Sequence, residues 1–280
     1  MHNSSLILST VTFIYALSAC FYVGFLVFKK NISGKIGFAF AIAGFVGNTA
    51  GIILRWIESY QLGIGHAPLS NLYESLVFFS WTCALLYIFI EKKYKNRAIG
   101  ALVMPVIFFA IAYASLSPNI SDRINPLVPA LKSNWLIAHV LVCFLGYAAF
   151  AIAFGISVMY LFKNSGKGLK NKKNFNFLPD KETLDDLIYR TVMFGFLFLT
   201  AGIITGAVWA NSAWGTYWSF DPKETWSLIT WFVYAVLLHL RFMSGWGGKK
   251  IAWVSIIGFA AVLFTYFGVN YLPGLHSYGT

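Results

Sequence analysis

Charge is what this sequence has least of. Only 11% of its 280 residues are Asp, Glu, Lys or Arg, against about 25% in soluble domains. No polar stretch is long enough to build a sizeable soluble domain, and mean hydropathy is +0.68. An integral membrane protein is expected. Paired cysteines are also missing. Cys20, Cys83 and Cys143 each lie alone in an apolar run, with no CxxC and no CxxCH. That excludes a dithiol carrier and a c-type cytochrome. Isolated cysteines of this kind act as small hydrophobes. No internal repeat is evident, and the low-complexity stretch is the Lys/Asn-rich loop 163–174. The first apolar run lacks a basic n-region and a small-residue cleavage site, so it does not read as a cleaved signal.

Apolar sequence is abundant. A membrane span needs about 20 apolar residues. Eight candidates appear, at 6–28, 36–56, 71–90, 98–116, 135–162, 187–209, 222–243 and 251–271. The expected fold is all-α and polytopic, a single transmembrane domain over 1–280. Net charge is +11, and the placement of the charges gives it meaning. All 21 Lys and Arg except Arg55, Arg123, Lys132 and Lys223 fall in or beside alternate connections. The positive-inside rule puts those connections in the cytoplasm and both termini outside it. The basic balance is thus a topology signal, and no nucleic-acid partner is expected. Segments 57–70, 117–134 and 210–221, and the tail after 271, then face outward.

The third outward segment runs into "WGTYWSFDPKETW", Trp214 to Trp226. "DPKE" reads as a helix start, with Asp221 as N-cap, Pro222 in the first helical position and Glu224 closing a capping box. If the preceding segment is helical, Trp214, Tyr217 and Trp218 share one face. Gly215 leaves room for a flat object to approach. An aromatic belt at the membrane interface would explain scattered rings. Rings gathered at one end of one span suggest instead a stacking plate for a planar ligand, with Lys223 placed to pair its carboxylates. Trp226 is a further candidate for that plate.

Histidines narrow the choice. His139 lies about one turn inside the outer end of the fifth span, and His276 follows the eighth. His239 lies deep in the seventh, His66 sits in the outward loop "GHAPLSNLYES", and His2 is terminal. Intramembrane ionisable groups are costly and often functional. Haem is a planar, dianionic, iron-containing ligand that takes axial nitrogens and stacked rings, and these residues admit it without singling it out. Arg55, Glu58 and Glu74 flank the His66 loop and read first as an ion-pair cluster supporting the outer face.

The sequence "WGTYWSFDPKETWSLITW", with "HLR" downstream, closely resembles the WWD motif of the CcsA/ResC family of system II cytochrome c biogenesis proteins. "GHAPLSNLYESLVFFSW", "NWLIAHV" and "GVNYLPGLHSYG" are similar to further stretches of that family, and the resemblance spans essentially the whole chain. It implies transport of haem b across the membrane and attachment to the CxxCH sites of apocytochrome c, in company with a ResB/Ccs-type membrane partner and a thiol-reducing system. It implies that His139 and His276 are axial ligands of an outer haem. Trp214, Gly215, Tyr217, Trp218, Asp221, Pro222, Lys223, Glu224 and Trp226 would position that haem, and His239 would be an intramembrane ligand. In the family a second intramembrane histidine belongs to the partner component, which these residues do not include, so it is expected from another polypeptide. The expected setting is the bacterial cytoplasmic membrane, ahead of the plastid thylakoid. No acid, base or nucleophile is expected; Asp221 and Glu224 read as capping groups. Two alternatives stand beside a haem-lyase subunit: a haem exporter or protective scaffold without attachment activity, and a CcmC-like delivery protein.

Overall fold

The computed structural model describes residues 3–128, 131–165 and 178–274. Among these the secondary structure is helical, without strands. Among the described residues, eight helices are long and apolar enough to cross a membrane. The chain divides into two compact units, residues 1–128 with 174–179, and residues 129–173 with 180–280.

The N-terminal unit contains α1 (Asn3–Phe28), α2 (Asn31–Gln61), α3 (Leu72–Tyr94) and α4 (Gly100–Leu116), with a 3-10 turn at Arg97–Ile99 before α4. α1 lies between α2 and α4, and α3 closes the ring against both. The C-terminal unit contains α5 (Asn134–Ser165), α6 (Lys181–Trp214), α7 (Pro222–Ser244) and α8 (Lys249–Tyr266), with a 3-10 turn at Gly268–Tyr271. Here α5 lies between α6 and α8, and α7 closes the ring.

The neighbour order is the same in both units, and corresponding residues do corresponding work. Trp81 Nε1 on α3 donates to Thr49 Oγ1 on α2 at 2.8 Å; Trp231 Nε1 on α7 donates to Thr200 Oγ1 on α6, also at 2.8 Å. The N-cap side chain of α3, Asn71, accepts from Glu74 N, and that of α7, Asp221, accepts from Lys223 N. Glu74 and Glu224, each three residues after the cap, both reach back to a serine N–H just before it. The ring of Tyr15 covers Gly44, and the ring of Phe150 covers Gly195. Two copies of one four-helix plan thus occur where the sequence shows no repeat. What recurs is packing and capping geometry, which many side chains satisfy.

Several helices extend past the apolar windows. α2 runs to Gln61 and so takes in Glu58, buried like Arg55 before it. α6 begins beyond its N-cap Asp180, whose side chain accepts from Thr183 N at 2.5 Å. Hydrogen bonds from the Thr183 side chain and then from its backbone N–H hold the Asp180 carboxyl below the usual carboxylate range. α6 continues to Trp214 and stops where Gly215 turns left-handed, φ +79°. The connection to α7 is therefore 215–221. It is irregular rather than helical, so no helical face joins Trp214, Tyr217 and Trp218.

Candidate functional site

The site is built on α5, α6 and the start of α7. His139 stands in the second turn of α5 and faces α6. Gly206 lies directly opposite: a Cβ there would come within 2.7 Å of the imidazole. One turn earlier, Gly202 makes the same room for Cys143. Small residues spaced four apart let two membrane helices approach closely. The approach brings His139 Nδ1 to 2.8 Å from the Gly202 carbonyl oxygen. A carbonyl only accepts, so Nδ1 carries a proton, and in the neutral ring Nε2 keeps the lone pair. This is how proteins fix a histidine in its metal-binding tautomer. Cys143 Sγ lies 3.6 Å from Nδ1, a weaker contact on the same side.

Aromatic rings back the histidine. Trp209, on α6 and 2% exposed, stacks on His139 with centroids 6.0 Å apart and planes 13° apart. Trp214 meets Trp209 edge-on at 4.9 Å. Trp218 is half-buried and edge-on to Phe220, while Tyr217 and Phe220 are 61% and 77% exposed. Trp226 lies elsewhere: it sits on Phe264 at 4.1 Å, where α7 meets α8. Neither Trp209 nor Phe220 stands out in the sequence. Trp209 lies inside an apolar run, and its helical spacing to Trp214 becomes visible only once α6 is known to extend that far.

The capping box read from "DPKE" is formed. Asp221 Oδ1 accepts from Lys223 N at 2.9 Å, and Glu224 Oε2 accepts from Asp221 N at 3.2 Å. Glu224 Oε2 also accepts from Ser219 N at 2.7 Å. A carboxylate oxygen gripped by N–H groups on both sides of Phe220 requires the residue between to turn left-handed, and Phe220 has φ +58°. That conformation costs a residue with a Cβ ~1–2 kcal/mol; here the Glu224 hydrogen bonds offset it, and the ring is left outside. Lys223 is half-buried at the same helix start.

The chain after α8 returns to this place. The turn at Gly268–Tyr271 packs against α7, and Gly274 abuts Asp221 and Pro222. These residues line a shallow cleft with Lys223, Val269, Asn270 and Leu272. His276 lies outside the described residues, as does His2.

The other candidates lie apart from this cluster. His239 is exposed on α7, on a face that also exposes Phe232, Val236, Phe242 and Met243. It is seventeen residues past Pro222 in the sequence, about 25 Å along the helix. His66 is buried in the N-terminal unit, with Nδ1 2.8 Å from Ala67 O and Nε2 3.0 Å from Asn125 O. Both ring nitrogens therefore face loop carbonyl oxygens. Arg55 and Glu74 form a buried ion pair at 2.8 Å, with Arg55 also donating to Arg123 O at 3.2 Å. Glu58 accepts from Ser4 N at 3.1 Å and from Ser4 Oγ. A second buried polar cluster was not evident from sequence. Glu91 accepts from the hydroxyls of Tyr22 and Tyr87 and faces Arg97 at 3.5 Å. These partners come from three elements, and only folding gathers them.

Comparison with known proteins adds to this geometry. The family model "Cytochrome C assembly protein" matches residues 69–276. A Guillardia theta protein named "Cytochrome c biogenesis protein CcsA" is 46% identical, over 91% of this chain and 89% of its own. Its namesake from Chlorella vulgaris is 41% identical, over 94% and 95% respectively. One from Prochlorococcus marinus is 44% identical, over 81% and 79%. Among solved structures, "Cytochrome c Heme Lyase CcmF" superposes with a TM-score of 0.73 at 16% identity, covering 94% of this chain and 46% of that one. At that identity the likeness is one of fold.

Proposed function

The chain belongs to the cytochrome c assembly protein family, and from that membership we propose that it carries haem to the outer face of its membrane and holds it there for attachment to apocytochrome c. One observation carries the reading: His139 is fixed as an Nδ1–H tautomer by the Gly202 carbonyl, beside the Trp209–Trp214 ring pair. That arrangement suits an axial ligand of haem. His276, on the tail that docks at Asp221, is the second. The rings of Trp214, Tyr217 and Trp218 border the porphyrin; Trp226 supports α7 against α8 from behind. Lys223 offers its ammonium to a haem carboxylate.

Attachment adds each cysteine S–H of a CxxCH segment across one haem vinyl group. Sulfur bonds to one vinyl carbon and hydrogen to the other, so no electrons are gained or lost. The contribution of this chain is positional. Fixing reactants in near-attack geometry is worth up to about 7–11 kcal/mol. A thiol-reducing system keeps the apocytochrome cysteines reduced. One axial histidine must then yield to the histidine of the CxxCH segment. Asp221 and Glu224 are engaged in the capping box and take no acid–base part.

His239 belongs to an earlier station. In the N-terminal copy the corresponding position is Phe89, 64% exposed, an ordinary lipid-facing residue. A histidine on that apolar surface is costly in lipid and is met by a ligand from a ResB-type partner. The basic connections lie in the cytoplasm, and the Trp214–Asp221 end lies outside.

Co-expression with a ResB-type partner and an apocytochrome tests the function. Covalent haem should form with the partner and be absent without it. His239→Ala should lower the haem bound by the purified complex. Full haem loading in that variant makes His239 structural, and covalent haem formed without any partner or host biogenesis system refutes the two-component reading. A complex that loads haem but leaves attachment intact in outer-site variants would support the exporter reading instead.

A further inference from the structure

The two copies differ around His139 by more than the histidine. Thr49 corresponds to Thr200 through the paired tryptophan bonds. Tyr15 corresponds to Phe150 through the glycines their rings cover. Counting along the helices from these pairs, Ser4 matches His139, Arg55 matches Gly206 and Glu58 matches Trp209. One turn further in, Leu8 lies over Gly51 and its counterpart Cys143 over Gly202, the counterpart of Gly51. Where the first copy has Leu8 and Leu54, the second therefore has Cys143 and Thr205. Neither leucine carries a hydrogen-bonding side chain, and the thiol and the hydroxyl both do.

Both polar side chains meet the same hydrogen bond. The Gly202 carbonyl oxygen accepts from His139 Nδ1 at 2.8 Å. Thr205 Oγ1 shares its one hydrogen between that oxygen, at 3.1 Å, and Ala201 O, at 2.8 Å. Two donors on one oxygen draw on the same electron density, so each is held less firmly than it would be alone. The Thr205 hydroxyl thus limits the pull of Gly202 on the imidazole proton. Cys143 Sγ lies 3.6 Å from Nδ1 and 3.9 Å from Nε2, beside both ring nitrogens. It is buried and fills the gap over Gly202, the side to which the ring would otherwise turn. The partner of the far nitrogen fixes the orientation and basicity of a ligating histidine. Here that partner is itself adjusted by two neighbours.

We propose that Thr205 and Cys143 are positioning residues for His139. Thr205 sets how firmly Nδ1–H is held, and Cys143 keeps the ring turned toward Gly202. Neither touches haem. The proposal takes its purpose from the reading of His139 as an axial ligand, and its geometry from contacts that stand without haem.

Thr205→Val puts a methyl group in place of the hydroxyl, and Thr205→Ser keeps the hydroxyl without the methyl. The first readout needs no haem. In the full chain labelled with nitrogen-15 histidine, the Nδ1–H proton resonance of His139 is identified by its loss in His139→Gly. It should move downfield in Thr205→Val, as the bond to Gly202 tightens, and hold its wild-type position in Thr205→Ser. Cys143→Ala should lose part of that signal, because the ring can then turn from Gly202, and Cys143→Ser should keep it. A resonance that stays put in Thr205→Val, or moves equally in Thr205→Ser, overturns the role of the hydroxyl. A full signal in Cys143→Ala overturns that of the sulfur. The second readout is the reduction potential of haem bound to the partner complex. A firmer hold on Nδ1–H makes Nε2 a stronger donor and favours ferric iron. The potential should therefore fall in Thr205→Val and not in Thr205→Ser. An unchanged potential beside a shifted resonance overturns the link from Thr205 to the ligand. If His139→Gly leaves the haem spectrum unchanged, the axial-ligand reading fails, while the resonances still decide whether Thr205 and Cys143 position the ring.

Discussion

His139, the proposed ligand, depends on its surroundings more than on its own identity. Its ring is oriented by a backbone carbonyl on α6, backed by Trp209, and admitted by the missing side chain of Gly206. The sequence displays the histidine but not this support. Trp209 reads there as one more apolar residue, and a glycine in a membrane span has many uses. Gly206→Val is accordingly a sharp probe. Its side chain would overlap the imidazole, and overpacking of this kind typically costs about 1–3 kcal/mol. We expect a lower melting temperature and loss of low-spin haem absorption, not rescued by a second-site His276 change. A variant with unchanged spectrum would show that the ring does not need this niche. Phe220 is the converse case. Its left-handed backbone follows from the Glu224 grip on both flanking N–H groups, and only the "DPKE" half of that arrangement is legible in the sequence.

The helices were legible as apolar runs, and their ends were not. α6 outlasts its apolar window by five residues because Gly215, rather than loss of hydrophobicity, stops it. This moves Trp214 from a loop onto a helix and gives it Trp209 as a neighbour. Helix pairing was hidden altogether, since it depends on single polar atoms in apolar surroundings. Trp231 to Thr200 and Trp81 to Thr49 are such contacts. Interhelical hydrogen bonds in membranes average about 0.6 kcal/mol. Trp231→Phe and Trp81→Phe should each lower stability by roughly that amount in a detergent unfolding titration, and neither should change the haem spectrum. A loss several times larger in only one of the two would break the equivalence of the copies.

At the scale of the molecule, one four-helix plan serves two ends. In the N-terminal unit the position of His139 is taken by Ser4, tied to Glu58, while Arg55 binds the closing loop. In the C-terminal unit the same positions hold His139, Trp209 and Gly206, a set with room and a ring nitrogen in place of a sealed ion pair. The fold class, the eight spans and the family follow from composition and motif. The duplication does not, because its two halves share caps, glycine contacts and tryptophan bonds rather than runs of sequence. The central claim is that His139 and His276 together hold haem at the Trp214–Asp221 end. The absorption spectrum of the partner complex tests it most directly. The wild type should show six-coordinate, low-spin haem. His139→Gly and His276→Gly should each lose that signature and recover it when imidazole is added. A double variant that keeps the wild-type spectrum without imidazole would contradict the claim.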